Sequence, residues 1–327
     1  MGLHLDTIVW DNHACMPLRP GDAAFLPELN RVKQAGVDVV TLNIACGRQT
    51  FQHAHDLQET FRNWIFAHSD AFEIVHTAPD IHRIKRAGKM AICFDVEGGD
   101  ALDNDASNVE RLYAFGVRWM LPTYNKNNAL GGGCLDQDSG LTEFGRNVVA
   151  EMNRVGMVVC GSHCGVQTAR DLLEASAAPM IFSHSNAHAV CPHPRNISDD
   201  LMRQCADAGG VVGLCGFSLF LGENQPLHEL LADHVDHALR VAGEDHVGLA
   251  LDYVFDREEL DAFIADNPDV FPPTAFHEGA AMMHHDDLPA LHDILLQKGW
   301  SSRVLEKVFG LNHLRLAQDV WKAPARA

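Results

Sequence analysis

The chain lacks paired cysteine spacing, apolar runs of membrane length, a basic surplus and a phosphate-binding signature, and each absence removes a class of protein. Lysine and arginine total 25 against 44 aspartates and glutamates, a formal net charge of -19 that argues against nucleic acid or an anionic membrane as the main partner. The nine cysteines are an odd number, scattered from Cys15 to Cys215 without CxxC pairs, so neither a zinc ribbon nor a disulfide framework is indicated. A reducing cytoplasm fits that usage best. The first residues, MGLHLDTIVWDNHACMPLRP, show no basic segment followed by an apolar core, and no run reaches the roughly 18 apolar residues of a membrane span. The glycine-rich stretch LGGGCLDQDSG (130–140) has neither GxxxxGK[ST] nor a strand-to-helix GxGxxG frame, and is expected to be a flexible rim loop.

What is present is alternation. With 327 residues, 46% hydrophobic and 21% charged, the chain is long enough for a large core. Short apolar strands are expected at 7–10, 37–44, 91–96, 117–122, 157–160, 178–182, 210–216 and 247–251. Helical periodicity lies between them at 27–35, 52–85 (one long helix or two shorter), 108–115, 142–155, 167–175, 199–208 and 227–242, with two further helices after Leu288. No linker or composition break interrupts the series. The pattern predicts one (β/α)8 TIM barrel domain over residues 1–327 with C-terminal helices, an open doubly wound sheet being the runner-up.

His13, Glu97, Tyr124, His163, His184 and Asp252 all fall at carboxyl ends of expected strands, which a closed barrel gathers around one pocket and an open sheet does not. In AICFDVEGGD (91–100), Glu97 arrives where a buried strand stops and Gly98–Gly99 allow close approach. Taken singly, each histidine is explained by a neutral imidazole bonded to backbone, and Glu97 by a strand-end ion pair. Together, three imidazoles and a carboxylate suit zinc, and two zinc ions bridged by one carboxylate and water would use all four and generate hydroxide at neutral pH.

The segments EGG (97–99), GLTEFGRNVVAEMNRVGM (140–157), SHC (162–164), APMIFSHSNAHAVCPHPRNISDD (178–200) and DHVGLALD (245–252) resemble the membrane (renal) dipeptidases, peptidase family M19 of the amidohydrolase superfamily, over nearly the whole chain. The resemblance implies a (β/α)8 barrel that binds two zincs and hydrolyses dipeptides. It implies that His13 binds the first metal, that Glu97 bridges, and that His163 and His184 hold the second. Arg195 would bind the substrate carboxylate, and Asp252 would meet the substrate amine and assist proton transfer.

Two departures stand out. The family's His-x-Asp before a proline reads here His13-Ala14-Cys15 before Met16-Pro17, so Cys15 is either a thiolate ligand, with a bond of about 2.3 Å, or an unligated buried thiol. Tyr124 replaces the family's substrate-binding histidine, either as an oxyanion donor or as a packing residue. The expected reaction is hydrolysis of a dipeptide or similar small acyl amino acid by metal-generated hydroxide, with Tyr124 steadying the oxyanion, Asp252 passing a proton to the leaving nitrogen and Arg195 clamping a carboxylate. The alternatives are a divergent member with one or no metal and altered substrate, or a non-catalytic binding protein. A homodimer is left open.

Four further features carry a plainer reading. Arg195 has a surface ion pair with Asp199 or Asp200 as its alternative. Cys164 is a poor nucleophile if it and His163 point to opposite faces of an extended strand. His188 and His193 are expected to be solvated loop histidines. The long connection after the eighth strand suits a lid, while its MMHHDD run (282–287) is expected to be solvated.

Overall fold

The computed structural model describes residues 3, 5, 7–223, 225–277 and 279–323, so the outer ends of the expected 1–327 domain lie outside the described residues. Among the described residues the strands are β1 (Trp10–Cys15), β2 (Val39–Cys46), β3 (Phe72–Ile74), β4 (Met90–Glu97), β5 (Val117–Leu121), β6 (Val158–Val159), β7 (Ile181–Phe182), β8 (Val211–Leu214), β9 (Val247–Leu249) and β10 (Tyr253–Val254). They pair in parallel in two runs, β10-β1-β2-β4-β5-β6 and β7-β8-β9, with β3 attached to β4. A parallel bridge between Cys160 and Ile181 joins the runs on one side. On the other, the Asp252 amide, just beyond β9, donates to the His13 carbonyl in β1 at 3.0 Å. The ring is therefore closed, a TIM-type (β/α)8 barrel.

The central strand shows how sequence builds this ring. All of β4 is buried, and its period of two sorts the residues by face. Met90, Ile92, Phe94 and Val96 join the main core under the outer helices, whereas Ala91 and Cys93 belong to a separate inner cluster. Asp95 and Glu97 continue that inner face toward the mouth. The helices begin and end on local chemistry. For Glu143–Val155, the Thr142 side chain accepts from the Gly145 amide and Val148, Val149 and Met152 face the core. Gly156 ends it at φ 90°, where a Cβ would stand 2.6 Å from the Lys322 nitrogen.

The amino-terminal end of the barrel is plugged by the chain's last helix, Asn312–Val320. Leu314 and Ala317 pack on Trp10, Val39 and Ala91, and Leu316 and Val320 pack on Trp119, Val158, Ile181 and Val211. Each leucine or valine buried there contributes about 1.5–3 kcal/mol. Gly248 admits this floor: a Cβ there would come within 2.3 Å of His313 Nε2. The opposite end is left open for chemistry.

The tail from Leu288 holds three α-helices rather than two, Leu288–Gln297, Ser302–Glu306 and Asn312–Val320, and two differences lie nearer the site. β1 lies at Trp10–Cys15 rather than 7–10, so His13 and Cys15 are inside the strand and not beyond it. The stretch 52–85 is two helices, Phe51–Ala67 and Ala78–Arg86, separated by the short β3, whose AFEIV alternation precedes a Thr77–Asp80 capping box. β3 pairs with the first half of β4 along the edge whose second half takes β5. Among the described residues no helix is long and apolar enough to cross a membrane.

Candidate active site

Glu97 ends β4 and turns each carboxylate oxygen toward a different set of partners. Oε1 lies 3.2 Å from His184 Nε2 and 3.5 Å from His163 Nε2. Oε2 lies 3.6 Å from His13 Nε2. That same His13 nitrogen is 3.4 Å from Asp252 Oδ1 and 3.5 Å from Cys15 Sγ. Donor atoms of His13, Glu97 and His184 fall within 4.8 Å of one another, as do those of His13, Cys15 and Asp252. The rings of His13 and His184 stack at 4.4 Å, and the Nε2 atoms of His163 and His184 are 2.9 Å apart.

Each imidazole is oriented from behind. His13 Nδ1 faces Asp95 Oδ2 at 3.0 Å, and Asn43 Nδ2 donates to the other Asp95 oxygen at 2.7 Å. His163 Nδ1 is 2.7 Å from Asn125 Oδ1, and His184 Nδ1 is 2.8 Å from Ser183 Oγ. With every Nδ1 held by the protein, all three Nε2 atoms point at one acid. Fixing the tautomer in this way is what metal-binding histidines require.

The chain accepts backbone strain to make this arrangement. Asn125, His163 and Asp252 have φ of 58°, 63° and 58°, in the left-handed region that non-glycine residues avoid, at roughly 1–3 kcal/mol each. Asp252 is pinned by the Cys215 thiol, 3.4 Å from its Oδ2. Asp11 secures the strands beside it, accepting from the Leu251 amide at 2.7 Å.

Burial dominates the electrostatics. It pushes the Glu97 carboxyl up to about 7, His13 opposing and Asp252 adding, and pushes Asp95 up to about 6 against His13. At Asp252 burial works against the charge, yet the His13 hydrogen bond and the positive charge of His13 and Arg195 hold it down at about 2. His163 and His184 are lowered, by burial first and by neighbouring cations next, so they stand as neutral lone-pair donors. At His13 burial opposes protonation, but Asp95 and Glu97 outweigh it and raise the ring above its ordinary range. Burial pushes the Cys15 thiol up to about 12, His13 opposing. Glu97 Oε1 is buried and makes no aligned hydrogen bond. Imidazole nitrogens, carboxylates and a thiol converging on such an atom are a donor set that fits zinc, whose charge displaces the protons otherwise held there.

Tyr124 stacks on His163, 4.2 Å between centroids at 21°, and lines one cavity with Glu97, His163, Asp252, Cys15 and Cys46. Burial raises its phenol well above the ordinary value. Arg195 is 3% exposed and makes neither surface pair: Asp199 is held by His237 and Arg203, and Asp200 by Arg170. Its guanidinium donates to the His184 carbonyl at 3.4 Å and lies 5.3 Å from the Phe220 ring, with Nε unpartnered. Arg195 borders a neighbouring cavity that shares His163 with the first.

The structure also corrects four surroundings. The 130–140 stretch is built in rather than flexible: Leu130–Gly133 are buried, the Gly132 amide donates to Thr168 Oγ1, and the Cys134 amide donates to the His163 carbonyl. A Cβ on Gly133 would lie 2.2 Å from the Asn125 carbonyl carbon. Cys164 is disqualified, but by a different cause. His163 sits in a turn beyond the two-residue β6, and the Cys164 thiol is buried on Thr123 Oγ1, with burial raising it far above an ordinary thiol. His193 is not solvated: its Nδ1 accepts from the Arg195 amide and its Nε2 donates to the Ala275 carbonyl at 2.9 Å. His188 is exposed, as expected. Within 282–287, Met283 and His285 are fully buried, and His285 Nε2 meets Asp11 at 2.7 Å.

Residues with no sequence signal of their own complete the site. Asp95 was recoverable, since it precedes Glu97 by two residues in one strand and so shares its face. Asn43 and Asn125 were not, because their partners lie on distant segments, and Ser183 was not, because a serine preceding a histidine carries no motif although the two side chains meet.

A closed parallel barrel with imidazoles and carboxylates gathered at its carboxyl mouth defines an amidohydrolase-type fold. The family model for membrane dipeptidase (peptidase family M19) matches residues 6–261, and the chain belongs to that family. It is 32% identical to "Dipeptidase tcpJ" of Claviceps purpurea over 279 residues, 84% of this chain and 60% of that protein's length. It is 30% identical to an uncharacterized protein in the pqqA 5' region of Klebsiella pneumoniae over 272 residues, 79% of this chain and 93% of that one. Among solved structures, an amidohydrolase from Pseudomonas aeruginosa superposes with a TM-score of 0.87 at 28% identity, covering 97% of each chain.

Proposed function

We infer that the protein is a zinc-dependent hydrolase that cleaves the amide bond of dipeptides or similar small acyl amino acids. The observation that carries this reading is the division of Glu97, with His163 and His184 near one oxygen and His13, beside Cys15 and Asp252, near the other. His13, Cys15 and Glu97 would hold one ion with Asp252 close by, and Glu97, His163 and His184 the second. When bound, zinc supplies Lewis acidity and lowers the pKa of a water toward 7.

The chain's own residues supply the rest. Asp252, a carboxylate facing the cavity, takes up a proton and delivers it to the leaving nitrogen. The Tyr124 hydroxyl donates to the developing oxyanion. Arg195, a buried cation without a carboxylate partner, is suited to a substrate carboxylate, because an unpaired buried charge is costly until an anion meets it. Residues 1–327 read as one barrel domain with C-terminal helices, supported by the closed ring and the floor helix. Nine free cysteines suit a reducing compartment such as the cytoplasm.

Metal analysis together with a panel of dipeptides and N-acyl amino acids tests this. About two zincs per chain and hydrolysis restored by adding zinc to chelated protein are expected. No turnover of any panel member with metal bound would overturn it. A one-metal form rests on Cys15 standing where the family has a carboxylate. It predicts about one zinc, with activity lost in His163→Ala and retained in Cys15→Ala.

A further inference from the structure

Beside the polar cluster, the first cavity is walled by aromatic side chains that the proposed reaction does not use. Phe217 and Phe220 come from the segment after β8, stacked at 5.2 Å, and Phe271 and Phe276 come from the long segment after β10, edge-on at 5.1 Å. Phe220 meets Phe276 at 6.1 Å, and Tyr124 meets Phe271 at 6.0 Å, so the wall reaches the ring that stacks on His163. With Ile264 these phenylalanines form their own buried cluster, separate from the main core, each 5–7% exposed.

The wall is preformed. The His193 ring donates to the Ala275 carbonyl at 2.9 Å, Asn125 Nδ2 donates to the Val270 carbonyl at 3.3 Å, and Phe217 bridges Met282 in antiparallel fashion. Among the described residues, no lysine or arginine lines this cavity, and its carboxylates are Glu97, Asp252 and Glu259. Glu259 is already paired with Arg19 at 3.2 Å, so a charged substrate side chain set against the phenylalanines would lose its water without gaining a free partner. An aromatic or branched aliphatic group would gain buried area and ring-edge contacts.

We propose that Phe217, Phe220, Phe271 and Phe276 form a specificity pocket for a bulky apolar substrate side chain, aromatic rings foremost. This deepens the hydrolase reading and rests on it for turnover, though not for binding. On the zinc-loaded full chain, kcat/KM for alanyl-phenylalanine or phenylalanyl-alanine should exceed that for alanyl-alanine by about tenfold or more, with alanyl-glutamate and alanyl-lysine below it. Phe276→Ala and Phe271→Ala should each cut that preference several-fold. A ratio taken on one preparation does not depend on how much of a variant folds. Calorimetric titration with 3-phenylpropanoate against propanoate, neither of which carries an amide bond, reads the pocket without turnover. Tighter binding of the phenyl ligand supports the pocket even if no dipeptide is cleaved, in which case the hydrolase reading alone falls. Equal binding of the two ligands, or equal turnover of small, charged and aromatic dipeptides, overturns the pocket.

Discussion

Histidines are buried at both ends of this barrel, and the ends use them differently. At the floor, His313 is fully buried, donates from Nε2 to the Leu249 carbonyl at 3.2 Å and lies against Trp10. Behind the wall that carries Arg195, His234 spends both nitrogens on backbone, Nδ1 accepting from Ala187 and Nε2 donating to Leu221. At the mouth, His13, His163 and His184 give one nitrogen to the protein and direct the other to a shared point beside Glu97. Burial alone therefore does not mark a ligand. The mark is an imidazole tied at one nitrogen and left, at the other, facing further donors.

The contrast breaks most sharply if a mouth histidine proves dispensable. His163→Ala should lower kcat/KM by about 10³-fold or more, since on the proposed mechanism several kcal/mol of charge stabilisation depend on the ion it would hold, and should reduce the zinc retained after dialysis. His313→Gln should leave zinc content at the wild-type level. Asp95→Asn keeps the shape but removes the charge behind His13, and a loss of about 10–100-fold in metal affinity or activity is expected, measured by competition with a chromogenic chelator.

Acid should find the structural histidines next. Burial lowers His234 and His313 to about 4, the backbone bonds to Leu221 and Leu249 opposing it. Both lie below the ordinary 6.5, so between those values the unfolded chain takes up protons that the folded chain refuses. Their contribution is complete above about pH 6.5 and is lost as pH falls toward 4. Urea unfolding at pH 7 and pH 5 should differ by about 2 kcal/mol for each ring, and His234→Gln should flatten the slope. The smallest effect is expected from Ser183→Ala. It removes a neutral hydrogen bond behind His184, worth about 1 kcal/mol, and should cost about fivefold in kcat/KM, well under Asp95→Asn. Equal losses from Ser183→Ala and Asp95→Asn would show that charge behind the ring does not matter.

Sequence reading reached the barrel because strand and helix periods alternate without interruption, and it set His13, Glu97, His163, His184 and Asp252 around one mouth, where the structure also brings them together, because each stands near the end of a strand. It misplaced β1, whose polar residues Asp11, Asn12 and His13 look like a loop but are buried, with Asp11 bonded across to Leu251. The rim loop misled in the opposite direction. Three consecutive glycines suggest freedom, whereas here they permit tight packing against Thr168, Asp138 and Asn125. The aromatic wall was invisible because Phe217 and Phe276 are far apart in the chain and carry no motif. Only the fold brings them to one cavity.

Asn125 ties that wall to the His163 ring. Its side-chain oxygen meets His163 Nδ1 while its amide group holds the Val270 carbonyl, so one planar group serves both. If the proposed pocket and zinc site hold, selectivity and metal binding are not separate modules in this barrel. A capping segment transplanted from a relative to alter substrate choice must reproduce the Val270 carbonyl in register, or the graft will rotate the amide and loosen an imidazole it never touches.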